Sequence, residues 1–321
     1  MVTLIFAVIS GSQSLSSVHR FSMRHYSEIC LGLGIEEKEK PPSYNTFRNM
    51  LRKMDSKDLE DVFNKILEKS KCKAIHLDGK ASAGSIVNAN TSEQSFLMTV
   101  SAYSSELKQV ILRKSFDSKL SSEIEIAREL IKELGNGKLV TADSAHCNIE
   151  TIALLNKKHE YLAQFKGNQK KLKQKALELE KNEKAISQYY SEERNRGRFE
   201  KRLTKVYRFE DKKWAGAESI VIQERWRDGA YEKAFYLSNK VKKASERGLE
   251  IRTHWSIESM HWEKDVLMGE DQSKIKEKNI SCVMSTIRSC VLNTCKQSDI
   301  KSFSSFKDMY SHDIPKLFSL L

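Results

Sequence analysis

The spacing of apolar residues changes period partway along the chain. Through residues 1–70 they recur every three to four positions, the repeat of one helical face. MVTLIFAVIS reads as a core helix that starts abruptly. It has no basic stretch before it and no small-residue cleavage pattern after it, so it is not read as a signal peptide. The expectation is a chain that begins inside a helical domain. Pro41 and Pro42 interrupt the pattern, and SYNTFRNMLRKM and SKDLEDVFNKILEK then read as helices, with Ser43 and Ser56 as N-caps. Leu51, Met54, Leu59, Val62, Phe63, Ile66 and Leu67 supply their apolar face. Residues 1–70 are expected to form a small N-terminal helical domain.

From Lys71 the runs shorten and become strand-like: KAIHLDGK, FLMTVSAYS and KQVILRKSF. An amphipathic helix (SSEIEIARELIKEL), a strand (LVTADS), a helix (NIETIALLNKK), a strand (EYLAQFKG) and a long basic helix (NQKKLKQKALELEKNEKAI) follow. Three strands followed by alternating helices and strands suit an α/β fold, a mixed sheet with helices on both faces. That is the element order of RNase H-like folds. Residues from about 190 to 240 are β-rich. RGRFEKRLTKVYRF reads as a basic strand, and SIVIQERWRDGAYEKAFYLS as two strands joined at Asp228-Gly229, a pair suited to a turn with positive φ at both positions. The reading is therefore an RNase H-like domain over 71–321 with a β-rich insert, ending in helices from about Glu246.

Charge adds a partner. The 321 residues carry a formal net charge of +12, and 31 % of them are charged. Such an excess of Lys and Arg points to a polyanion, most simply nucleic acid, through phosphate neutralisation. A basic protein without such a partner is the alternative. No segment reaches the roughly 20 apolar residues of a membrane helix, so no membrane partner is expected. The six cysteines (30, 72, 147, 282, 290, 295) contain no Cys-x-x-Cys pair, so free thiols in a reducing cytoplasm are expected.

Carboxylates at strand ends supply the candidate chemistry. Asp78 ends the first strand and Asp143 the fourth. In an RNase H-like sheet those strands are neighbours, and the two side chains share one crevice. Hard oxygen ligands suit Mg²⁺, and two such ions can act on the attacking and leaving oxygens of a phosphodiester. Asp is also common at turns and caps, and Gly79 and Ser144 fit that reading. A third carboxylate is sought in EIRTHWSIESMHWEKDVLMGED. There His254, Glu258, His261 and Asp265 lie on one helical face. In the alternative, Trp255, Ile257 and Trp262 form the core face and the polar residues are solvated. The two histidines lack the i, i+4 spacing of zinc helices, so structural or DNA-contacting roles are expected of them, with His254 a candidate contact. Candidate phosphate contacts are Arg194, Arg196, Arg198, Lys201, Arg202 and Lys205 in the insert, and Lys166, Asn168, Lys170, Lys171, Lys173 and Lys175 near the basic helix. A merely solvated charged helix is the alternative for the second group. Trp214 and Trp226 could stack on an unpaired base, but core positions are expected.

Five segments in consistent order, IHLDGKASAGS, VTADSAHCNIET, YLAQFKGNQKKL, RGRFEKR and IRTHWSIESMHWEKDVLMGEDQSKIKEKN, resemble the ISAs-type insertion-sequence transposases, also called H-repeat-associated proteins. The resemblance runs from about Phe6 to about Leu292. It implies an RNase H-like DDE domain with a β insert before the Glu, preceded by a small helical domain. It also implies that Asp78, Asp143 and Glu258 are the catalytic, metal-holding carboxylates. The sequence departs from that family in lacking an N-terminal stretch with an Asp-Pro-Arg signature, and at Ala83, Ser259 and Lys264. Where the wider class has a Tyr and an Arg before the Glu and a Lys after it, this chain has Ile251, His254 and Asp265; Arg252 and Lys264 only approximate those roles. The function implied is a DNA transposase that cleaves element ends with two Mg²⁺ (or Mn²⁺) ions and joins them to target DNA. It is expected to act on double-stranded DNA as a homodimer in a bacterial cytoplasm, nucleoid-associated when bound. A DNA-binding remnant without activity and a nuclease without strand transfer are the alternatives.

Overall fold

A computed structural model describes every residue except 67–71, 196, 197, 299 and 301, and only the backbone of Asn195 and Arg198. Leu67 and Arg196, two of the residues singled out above, lie outside the described residues, as does the side chain of Arg198. Four helices come first: α1 (Val2–Ile9), α2 (Leu15–Leu33), α3 (Tyr44–Lys53) and α4 (Ser56–Ile66). Ser43 caps α3, accepting from the Thr46 amide at 3.2 Å. The cap of α4 is Asp55 rather than Ser56. Its Oδ1 accepts from the Lys57 and Asp58 amides at 2.8 and 3.3 Å, and a carboxylate there also suits the positive end of the helix. Val62 and Ile66, expected on the apolar face of α4, are 54 % and 70 % exposed.

Next come β1 (Ala74–Ala81), β2 (Leu97–Ser104), β3 (Gln109–Asp117), α5 (Glu123–Glu133), β4 (Leu139–Ala142), α6 (Ile149–Asn156), β5 (Glu160–Phe165) and α7 (Lys170–Asn182). The remainder is β6 (Ser187–Asn195), β7 (Arg198–Arg208), β8 (Ser219–Arg227), β9 (Ala230–Ser238), α8 (Ala244–His254), α9 (Ser256–Trp262), a π-helical turn (Glu263–Leu267), α10 (Lys278–Gln297), α11 (Phe303–Tyr310) and α12 (Ile314–Phe318). All nine strands form one sheet, in the order β3-β2-β1-β4-β5-β9-β8-β7-β6. The first five are the RNase H-like portion, with β1, β4 and β5 parallel and β2 and β3 antiparallel. The β-rich segment extends that sheet, because β9 pairs with β5. It has four strands rather than three, since α7 stops at Asn182 and SQYYSEERN forms β6. At the β8–β9 turn Asp228 and Gly229 have φ of 49° and 83°, as their sequence demanded.

Helices cover both faces. Ile75, Leu77, Val140, Ala142 and Tyr161 pack with α5 and α6 on one side. On the other, Tyr103 and Val110 join α1–α4 and α10–α12 in a second cluster. A third lies under α8, between Ile251 and Val206, Val221 and Tyr236. Each fully buried large apolar side chain is worth about 1.5–3 kcal/mol, so these layers fix the sheet firmly. The opening and closing helices are interlocked. The Phe6 and Phe318 rings meet edge-on at 5.0 Å, and His25 Nε2 lies 3.1 Å from His312 Nδ1. Among the described residues no helix is long and apolar enough to cross a membrane.

Candidate metal centre and nucleic-acid groove

Register brings the two aspartates together. Leu77 of β1 pairs with Ala142 of β4 in parallel, so the next residues on the two strands are Asp78 and Asp143. Neighbouring strands lie about 4.8 Å apart. Asp78 does not end its strand as expected. β1 continues to Ala81, with Asp78 opposite Ser101 of β2, while pairing with β4 stops one residue before it. Both carboxylates are half-buried, and each accepts a local amide bond: Asp78 Oδ1 from Gly79 at 3.0 Å, Asp143 Oδ1 from Ala145 at 2.9 Å.

His76, Asp78 and Lys80 alternate onto one face of β1, and the segment from α8 to the π-helical turn packs against it. Thr141 Oγ1 lies 2.7 Å from both His76 Nδ1 and His254 Nδ1, tying β1, β4 and the end of α8 into one buried chain. His261 Nε2 approaches Asp78 Oδ2 at 3.4 Å. Asp265 pairs with Lys80. Glu258 is exposed on α9, within electrostatic reach of Asp78. Partial desolvation and then the charge of Asp78 push its carboxyl above the usual range, against the pull of Arg225 and Lys166. Burial also lowers the pKa of His254, opposing the influence of Asp78 and Asp143. With Nδ1 bound to Thr141, His254 acts in the fold as a strut of this wall.

The apolar alternative for this segment does not hold. Ile257 is buried, but Trp255 and Trp262 are 40 % and 53 % exposed. α8 ends at His254 and a new helix starts at Ser256, so a single helical phase does not run through the segment. Lys264 is buried on Glu270, Ser285 and Ser289, so it does not reach the groove; desolvation lowers its pKa to about 8. Of the tryptophans in the insert, Trp214 is core, whereas Trp226 is partly exposed with its ring 5.4 Å from Tyr231.

A groove of about 650 Å³ runs beside Glu258, lined by Arg202, Arg225, Arg227, Arg252, Trp255 and Ser259 with Glu193 and Glu200. The Arg225 guanidinium stacks 5.2 Å over the Trp255 ring. The basic cluster in the insert is largely paired with acids on its own strand, on neighbouring strands and on α7. Arg202 contacts Glu200 at 2.7 Å and Glu193 at 3.5 Å, Lys201 contacts Glu192 at 3.3 Å, and Lys205 lies between Glu180 and Glu224. Arg194 is exposed. After β5, Lys166 and Lys170 are exposed, whereas Asn168 holds the loops together: its Nδ2 donates to Ser144 O at 2.7 Å, and its Oδ1 accepts from the Lys166 amide. Lys175 pairs with Asp211, and Lys173 lies over Phe235.

Two residues not foreseen complete the crevice. Glu123 opens α5, with Oε1 3.1 Å from His146 Nε2; Asp143 Oδ1 is 3.9 Å from the same nitrogen. Their ligand atoms all lie within 4.8 Å of one another. The only local signal was an acid in the first turn of a helix, which ordinarily answers the helix dipole. The donor set fits a divalent cation, with carboxylates gathered at one strand tip and a buried imidazole whose nitrogens have no hydrogen-bond partner.

Comparison with known proteins gives the family and the fold. The model of the transposase DDE domain family matches residues 79–294. YncI of Escherichia coli O157:H7, named as a transposase, is 28 % identical over 92 % of this chain and 81 % of its own length. YhhI of E. coli K12, named as an H repeat-associated transposase, is 26 % identical over 91 % of this chain and 83 % of its own. YbfL of the same strain is 27 % identical over the same shares. A cryo-EM structure of the piggyBac transposase synaptic complex with hairpin DNA shares the fold, with a TM-score of 0.54 and 11 % identity, over 99 % of this chain and 70 % of that one.

Proposed function

The chain belongs to the transposase DDE-domain family, and from that premise we propose that it cuts phosphodiesters at the ends of a mobile element and joins them to target DNA, with Asp78, Asp143 and Glu258 holding two divalent cations. The observation that carries this reading is the β1–β4 register, which makes Asp78 and Asp143 neighbours, with Glu258 near enough to Asp78 for its charge to raise the Glu258 carboxyl. Carboxylates crowded in this way are relieved by a cation. Mg²⁺ or Mn²⁺ held there supplies Lewis-acid stabilisation of the phosphoryl oxygens.

The other residues bind and orient. Lys166, Arg225, Arg227 and Arg252 contact phosphates along the groove, which fixes the DNA without reading its sequence. Lys170, Arg194 and Arg202 extend that surface, with Arg202 also tying β7 to β6 through Glu193. His261 holds Asp78, and the His76–Thr141–His254 chain keeps α8 and α9 at a set distance from the strands. Water attacks the phosphodiester and leaves a 3′-hydroxyl. That hydroxyl then attacks a target phosphodiester and displaces its 3′-oxygen. The DNA is double-stranded, and two copies of the chain bridge two ends.

The test is nicking of a duplex carrying the element's own ends, in Mg²⁺ or Mn²⁺, by the parent chain and by Asp78→Asn, Asp143→Asn and Glu258→Gln. Losing several kcal/mol of transition-state stabilisation predicts a fall on the order of 10³-fold in each variant. Joined products make the activity strand transfer, and nicks without joining make it a nuclease. Binding with no nicking by the parent chain overturns the proposal in favour of a DNA-binding remnant.

A further inference from the structure

Gly79, beside Asp78, shows why the crevice holds a fourth carboxylate. A Cβ at this position would lie 2.2 Å from the carboxyl carbon of Glu123, so that carboxylate fills the space a side chain would occupy. Glu123 is not needed as a cap, because Ser122 and Glu125 already form the capping box of α5. Glu123 and Asp143 lie against the same imidazole, and among the described residues neither forms an ion pair with a lysine or arginine.

That imidazole is the independent observation. The His146 side chain is wholly buried, and neither ring nitrogen has a hydrogen-bond partner. Burying a polar group without a partner is costly. Nε2 points between the two carboxylates, at 3.1 Å from one and 3.9 Å from the other, without hydrogen-bond geometry to either. A nitrogen in that position suits a cation shared by all three groups.

We propose that Glu123 and His146 join Asp143 in a mixed oxygen–nitrogen cation site, one of the two in the centre described above, and that the imidazole biases it toward Mn²⁺ over Mg²⁺. The inference rests on the metal-centre reading and adds two ligands and a metal preference to it. Mg²⁺ takes oxygen ligands and gains little from imidazole, whereas first-row transition ions accept it. Gly79 is part of the same device, since only glycine leaves room for Glu123.

The test measures Mn²⁺ binding to the full-length chain without DNA, by electron paramagnetic resonance titration and by spin-echo detection of coupled ¹⁴N. The variants are His146→Gln, Glu123→Gln and Gly79→Ala, with melting temperatures to show that each is folded. The parent is expected to show one ¹⁴N-coupled Mn²⁺. His146→Gln removes the coupling and weakens Mn²⁺ by about tenfold or more, and changes competition by Mg²⁺ far less. Glu123→Gln weakens Mn²⁺ comparably. Gly79→Ala does the same without deleting a ligand, because it pushes Glu123 aside. Mn²⁺ bound to the parent without ¹⁴N coupling, coupling that survives His146→Gln, or unchanged affinity in Glu123→Gln overturns this inference and leaves the three-carboxylate reading standing. Failure of the parent to bind Mn²⁺ at all overturns both.

Discussion

Arg247 is the natural point at which to test how the wall of the site is held. It is fully buried on α8 and makes four contacts. Nη1 donates to Glu160 Oε1 at 2.9 Å and Glu250 Oε2 at 2.5 Å; Nη2 donates to Ser238 Oγ and Lys240 O, both at 2.7 Å. Arg247→Met keeps the volume but leaves those acceptors without their donor. Removing one member of a buried pair costs about 3–5 kcal/mol. Lys242 Nζ lies 2.7 Å from both Glu160 and Glu250, so one cation remains for the two carboxylates and the lower value, about 3 kcal/mol, applies. At about 2 °C per kcal/mol for a large domain, melting should fall by roughly 6 °C. Circular dichroism melts of Arg247→Met, Lys242→Met and the double variant measure this. The double variant should lose more than the sum of the singles, because each cation covers for the other. DNA nicking should fall as well, since α8 carries His254. A melting temperature within about 1 °C of the parent for Arg247→Met, or strict additivity in the double variant, would refute the reasoning.

Thr141→Val removes the hydroxyl shared by His76 and His254, so it should cost about 1–3 kcal/mol in denaturant unfolding and slow nicking more than it weakens DNA binding. His76 gives a pH dependence. Desolvation, then the neighbouring His254, lower its folded pKa to about 3, against 6.5 in an open chain. The unfolded state binds the extra proton between those values, so this contribution is fully present above about pH 6.5 and is lost as pH falls toward 3. Melting temperature against pH should therefore fall less steeply below pH 6.5 in His76→Gln than in the parent; identical slopes would exclude His76 as a source. Gly229→Ala places a Cβ at φ 83° and should cost about 1 kcal/mol by thermal melting.

What could be read from the sequence was local. The hairpin at Asp228-Gly229 follows from two residues that tolerate positive φ, and the nearness of Asp78 to Asp143 follows from their places one residue past the Leu77–Ala142 pair of neighbouring strands. Glu123 and His146 could not be found in this way, because their meaning depends on how α5 and the loop after β4 meet across Gly79. The unread strand β6 carries an alternating polar pattern whose partner, β7, gives it structure. The alternative of a Trp255–Ile257–Trp262 core fails because hydrophobicity says nothing about a helix that restarts at Ser256 or a turn that widens at Glu263. The basic residues of the insert read as phosphate contacts, yet Lys201, Arg202 and Lys205 each lie against an acid that only the folded sheet brings to them.

The interlocking of the opening and closing helices has a consequence for synthesis. α1 and α2 are made well before the helices they pack against, because the surface they bury belongs to α10, α11 and α12, near residue 280 and beyond. At about 5–20 residues per second, the apolar faces around Phe6 and Phe21 wait tens of seconds for their partners. Folding of this layer therefore waits until α10, α11 and α12 have been made, and a nascent chain that stops before them leaves the apolar faces of α1 and α2 without their partners. Until release, such a chain is a natural client for a chaperone that holds apolar helices.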